Sequence, residues 1–257
     1  MTARPTNYGK AWTRQQSILA FELYCRIPFQ QTKASNPEVQ AVARLLNRSP
    51  AAVARKLGNF GAFDPELRRR KISGLTHTSK LDREVWDEFH SDWPGLVALA
   101  GQMRGLVSYE EAEALIPVKG PEGESERLVT VKRRMHQAFF RDAVLSAHEG
   151  ICCVTGISIR QSLIASHIVP WSVNEKLRAD PMNGLCLTAT FDRLFDSGLM
   201  TVEQDLTLRF SQEILRADCK PVRELIAVFQ GLPIRRPQRF LPKEQCLKWH
   251  RENIFVG

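Results

Sequence analysis

The sequence predicts an α+β protein of two domains, a helical first domain over residues 1–116 and a mixed second domain over 129–257, joined by a linker at 117–128. Three observations predict this arrangement. The N-terminal half consists of capped segments with apolar residues at helical spacing. The stretch from Val118 to Glu126 is rich in glycine and charge and has no hydrophobic period, as expected of a connector. Beyond it, the segment Ala165 to Trp171 supplies a histidine at a strand end, and Asn183 to Leu187 and Phe191 to Asp196 follow at short intervals.

The elements follow in order. Trp12 to Ile27 forms a dense apolar helix that starts near Thr13 and stops at Pro28. Asn36-Pro37-Glu38 opens a second helix with a capping asparagine and a proline at the first helical position. Asn47 to Pro50 breaks the period, and Ser49 caps a third helix from Ala51 to Phe60. Val42 to Leu57 therefore carries a helix-turn-helix pattern, whose second helix can enter a DNA major groove. Arg48, Ser49, Arg55, Lys56 and Asn59 are the candidate DNA contacts, with Arg68 to Lys71 as a phosphate clamp. The alternative is a helix pair whose charges simply face solvent. Leu81 to Phe89 and Trp93 to Met103 continue the helices, with Trp86, Phe89, Trp93 and Leu96 expected in the core. Lys132 to Ala147 forms an amphipathic helix with Arg133, Arg134, Gln137 and Arg141 on polar positions, and Arg141 is a further DNA-contact candidate.

Composition narrows the class. With 257 residues, 43% hydrophobic and 25% charged, the chain is long enough for two modest cores and is not compositionally disordered. A net charge of +8 favours an anionic partner. The N-terminus lacks an apolar core segment and no run of apolar residues is long enough to span a bilayer, so a cytoplasmic protein with no membrane partner is expected. Six cysteines without a Cys-x-x-Cys pair read as reduced, mostly buried thiols rather than a zinc site.

Several ordered motifs of the second domain together resemble the His-Asn-His (HNH) endonucleases. They are Cys152-Cys153-Val154-Thr155-Gly156, Ser166-His167-Ile168-Val169-Pro170-Trp171, Asn183-Gly184-Leu185-Cys186-Leu187 and Arg193-Leu194-Phe195-Asp196-Ser197-Gly198-Leu199. The similarity extends through Pro233 to Pro237 and through Trp249 to Phe255, and covers about half the chain. It implies a ββα-metal site, two strands and a helix around one cation, and hydrolysis of double-stranded DNA. Restriction or phage defence is the setting the resemblance implies. Cutting both strands needs two active sites, which makes a homodimer the expected assembly.

The residue types suit that chemistry. His167 is the expected general base, since an imidazole titrates near neutrality. Asn183 is expected to tie the connecting loop and so fix the base. Asp192 and Asp196, at i and i+4, share one side of a short helix and are the expected metal ligands, with oxygen donors that suit Mg2+ or Mn2+. Arg160 and Arg193 are positioned in sequence to meet phosphate charge. His250 is expected to be structural. Many relatives carry a metal-binding Asp or His where this chain has Ser166, and a His near Phe191 or Asp192. A non-catalytic DNA-binding protein on the same scaffold is therefore the alternative.

Overall fold

In the computed structural model, residues 5–72, 78–105 and 126–257 are described. They form two compact units, Met1–Ser146 and Ala147–Gly257. Among them no helix is long and apolar enough to cross a membrane.

The first unit is helical: α1 (Arg14–Arg26), α2 (Pro37–Leu45), α3 (Pro50–Gly61), α4 (Pro65–Arg69), α5 (Lys80–Phe89), α6 (Trp93–Met103) and α7 (Glu126–Ala147). Local chemistry sets the boundaries. Thr13 and Gln16 cap α1 reciprocally, and Ile27 turns extended ahead of Pro28. The Asn36 side chain caps α2 and the Ser49 hydroxyl caps α3, each with proline as the next residue. Helix α1 is buried along most of its length and packs against α2, α3, α5 and α6. Its Phe21 ring lies 5.0 Å from Phe60 and 5.4 Å from Trp86, and Trp86, Phe89, Trp93 and Leu96 are buried as expected. Each such fully buried side chain contributes about 1.5–3 kcal/mol.

Helix α7 joins the first unit except for its last residue, although the sequence reading placed residues from 129 onward in the second domain. Its apolar face explains the difference: Phe139 packs 6.2 Å from Trp93 of α6, and Asp142 lies 3.5 Å from Arg26 of α1. Of the expected linker, residues up to 125 lie outside the described residues and 126–128 are helical.

Two of the expected DNA contacts are interior. Arg48 is 6% exposed, and its guanidinium donates to Gln16 Oε1 (2.8 Å) and to the Lys10 and Ala11 carbonyls (3.0 and 2.7 Å) while lying over the Trp12 ring. It pins the N-terminal segment over the α2–α3 turn. Lys56 is 4% exposed and pairs with the fully buried Asp82 of α5. Asn59 donates to the same carboxylate at 2.9 Å. The exposed register expected for Lys56 and Asn59 gives way because the buried Asp82 requires a counter-charge. Ser49 serves as a cap and Arg55 is exposed.

The second unit begins with a turn at Arg160–Ser162, followed by β1 (Leu163–His167), β2 (Gly184–Thr188) and α8 (Ala189–Asp196). Strands β1 and β2 pair antiparallel, with Leu163 opposite Thr188 and His167 opposite Gly184. Helix α8 packs on both, giving the ββα order that the resemblance implies. A second antiparallel pair, β3 (Met200–Val202) and β4 (Leu208–Phe210), is followed by α9 (Gln212–Leu215), α10 (Lys220–Ala227) and α11 (Glu244–Asn253). Gly198 leaves α8 at φ +75°, and a Cβ there would sit 2.1 Å from the Ile254 carbonyl oxygen, so only glycine admits the tail so closely. All six cysteines are free and all but Cys219 are buried.

Because Lys56 neutralises a buried carboxylate, Lys56→Ala is expected to lose about 3–5 kcal/mol of stability, and Arg55→Ala no more than about 0.5 kcal/mol. Urea denaturation of the two variants checks this, and an unchanged Lys56→Ala midpoint refutes the assignment.

Candidate active site

The site assembles at the open end of the β1–β2 pair. His167 closes β1, and the loop that returns the chain to β2 folds back over its ring. In that loop the Arg178 carbonyl lies 3.1 Å from His167 Nε2 and accepts its proton, so the lone pair resides on Nδ1. The Trp171 ring stands edge-on to the imidazole, with centroids 5.8 Å apart. Burial holds the His167 pKa below its ordinary value, against the opposing pull of the Arg178 carbonyl. Burial thus favours the neutral imidazole.

Asn183 is fully buried at the end of the same loop. Its side-chain oxygen accepts from Val169 N at 2.8 Å, and its amide donates to the carbonyls of Val169 (3.0 Å) and Leu177 (3.3 Å). The side chain thereby ties both arms of the loop together. Its contacts are all to protein backbone, which makes it a positioning residue. Asp180, 2% exposed at its side chain, caps the turn before Asn183 and receives Lys243 Nζ at 2.5 Å.

Helix α8 supplies the carboxylates. Phe191 and Phe195 are buried on its inner face, which leaves Asp192 and Asp196 on the side that faces the cleft. Partial burial raises the Asp192 pKa, and the nearby Ser166 hydroxyl and Arg193 oppose the rise. Asp196 is pushed up to about 6, first by partial burial and then by the Asp192 charge. The cleft, of about 420 Å³, is also lined by Ser166, His167, Trp171 and His250.

Two features bear on cation binding. The buried Ser166 hydroxyl lies beside Asp192, and two mutually repelling carboxylates face the same space. Among the described residues, no three His, Cys, Asp or Glu side chains converge as a complete metal cage. A pair of carboxylates suits a hard cation such as Mg2+, which keeps several waters and takes phosphate oxygens as further ligands. It does not suit structural zinc, which needs four protein ligands.

His250 is structural, as expected. It is 1% exposed, its ring stacks on Phe195 with centroids 3.8 Å apart, and its nitrogens meet Phe195 O (3.1 Å) and Thr201 Oγ1 (3.0 Å). Burial lowers its pKa to about 4. Arg193 is exposed beside Asp192, and Arg160 is exposed in the turn before β1. Arg141 is exposed on α7, in the other unit. Arg178 and Asp180 are absent from the sequence reading. Their signal was a bare Arg-x-Asp inside a loop, and only the fold back onto His167 and Asn183 gives it meaning.

Residues 152–203 match the family model described as HNH endonuclease. That span holds His167, Asn183, Asp192 and Asp196 and stops short of His250. No curated protein matches the chain.

A carboxyl whose folded pKa lies above its unfolded value binds the extra proton in the folded state. Its charge therefore costs stability above about pH 6, and the cost fades toward about pH 4 as both states become protonated. Asp196→Asn is expected to raise the melting temperature in EDTA at about pH 8 and to change it little at about pH 4.5. An equal shift at both pH values would show that the carboxylate pair is not strained by its charge.

Proposed function

We propose, from the premise that the segment 152–203 belongs to the HNH endonuclease family, that the chain is a metal-dependent endonuclease acting on double-stranded DNA. One observation carries this reading: a half-buried imidazole with Nε2 committed to a carbonyl lines the same cleft as two carboxylates that favour a cation. His167 Nδ1 takes a proton from water as the water oxygen attacks phosphorus, and the bond from phosphorus to the 3′ oxygen breaks. Asn183 keeps the loop closed so that the imidazole does not turn away. Asp192 and Asp196 would hold Mg2+ or Mn2+, which when bound polarises the phosphoryl oxygen and stabilises the leaving oxygen. The exposed Arg193 and Arg160 are placed to meet neighbouring phosphates.

The DNA contacts of the first unit shift relative to the sequence reading. A cleft of about 450 Å³ at the start of α3 is lined by Lys10, Ser49 and Arg55 above the buried Arg48, with no carboxylate in its walls. Lys10 and Arg55 are the phosphate contacts of this reading, and Arg48, Lys56 and Asn59 serve the fold. The helix-turn-helix role of α2 and α3 rests on this basic surface, and the exposed Arg141 of α7 is a further DNA contact of the reading. A single site per chain nicks, so double-strand cleavage calls for a homodimer. Restriction or phage defence in the cytoplasm is the setting in which such an activity belongs.

Supercoiled plasmid incubated with the wild type is expected to become nicked or linear with Mg2+ or Mn2+ and to stay intact in EDTA. His167→Ala is expected to lower the rate at least about a hundredfold while still binding DNA. Intact plasmid with every metal, on modified and unmodified DNA, would instead assign a binding protein. For the first unit, the double variant Lys10→Ala with Arg55→Ala is expected to weaken duplex binding and flatten its logarithmic salt slope by about two. An unchanged slope would move the DNA surface elsewhere.

A further inference from the structure

We infer that Arg178 is a positioning residue that locks the His167 base by way of Trp171. The inference rests on the nuclease reading for its kinetic part and on geometry for the rest. Three contacts form a closed ring. His167 Nε2 donates to the Arg178 carbonyl at 3.1 Å, Arg178 Nε donates to the Trp171 carbonyl at 2.9 Å, and Trp171 stands edge-on to the imidazole. The Arg178 guanidinium also lies over the Trp171 ring, 5.1 Å from its centroid, and pairs with Glu175 at 2.8 Å.

The purpose of the ring follows from what each part lacks alone. The Arg178 carbonyl lies in a loop of fifteen residues between His167 and Asn183, at the end of the short helical turn Glu175–Leu177, where the Arg178 N–H bonds locally to the Glu175 carbonyl at 3.3 Å. Asn183 pins that loop at Val169 and Leu177, and its bonds stop one residue before Arg178. The guanidinium supplies the remaining constraint: it is planar, donates in a fixed direction and stacks on the indole, which a lysine cannot reproduce. With the carbonyl held, the imidazole keeps one orientation at the wall of the cleft. A small misplacement of a base is enough to cost about a hundredfold in rate.

The test has two readouts on the full chain. In the wild type in EDTA, the His167 Nε2–H proton is expected as an exchange-protected downfield NMR signal, assigned by its loss in His167→Ala. Arg178→Ala is expected to abolish that signal and to lower kcat on DNA about tenfold to a hundredfold with KM unchanged. Arg178→Lys, which keeps charge and one donor and guards against a folding failure, is expected to fall between the two. A protected signal and unchanged kcat in Arg178→Ala would overturn the inference, as would a rise in KM alone, which marks a DNA contact. Should the wild type fail to cleave DNA, the nuclease reading fails while the NMR signal still judges the clamp.

Discussion

The buried side chain of Asn183 is the constraint on which the second unit depends. Its amide meets the backbone of Val169 with both a donor and an acceptor and reaches Leu177 with a second donor proton. These bonds fix where the chain leaves β1 and where it enters β2, so the pairing of His167 with Gly184 and the path of the intervening loop are set together. No apolar residue of similar size satisfies three backbone groups at once. An unsatisfied buried backbone group costs about 1–3 kcal/mol, so the asparagine stabilises the fold whatever it does for chemistry.

The cleft beside this loop gathers ionisable groups of opposite preference. His167 sits where burial favours the neutral imidazole, and Asp192 and Asp196 sit where partial burial and mutual repulsion disfavour their charges. Both effects come from withdrawing polar groups into a cleft, and they act in opposite directions because one group is neutralised by losing a proton and the others by gaining one. Ionisable groups whose preferences are separated in this way cluster at functional sites.

In the first unit, charge has been turned inward. Lys56 balances Asp82, Arg26 and Arg104 share the buried Glu22, and Arg48 gathers neutral carbonyls with no carboxylate among its hydrogen-bond partners. A lysine or arginine in an amphipathic helix reads as surface because its charge usually is. The long apolar stem of either residue can nevertheless carry the head to an interior partner, and the partner lies far away in sequence.

The sequence by itself determined the elements and the centre of the site. Thr13, Asn36, Ser49 and the prolines beside them specify helix ends through bonds that span only a few residues. His167, Asn183, Asp192 and Asp196 stand in short ordered motifs that single them out, and the fold brings His167, Asp192 and Asp196 to one cleft. Tertiary structure alone decided that α7 packs with the first unit, that Lys56 and Arg48 are interior, and that Arg178 and Trp171 close around His167. The physical reason is range: caps, turns and i to i+4 faces are local and leave a local pattern, whereas a buried ion pair or a carbonyl meeting an imidazole depends on which distant segment the fold brings near.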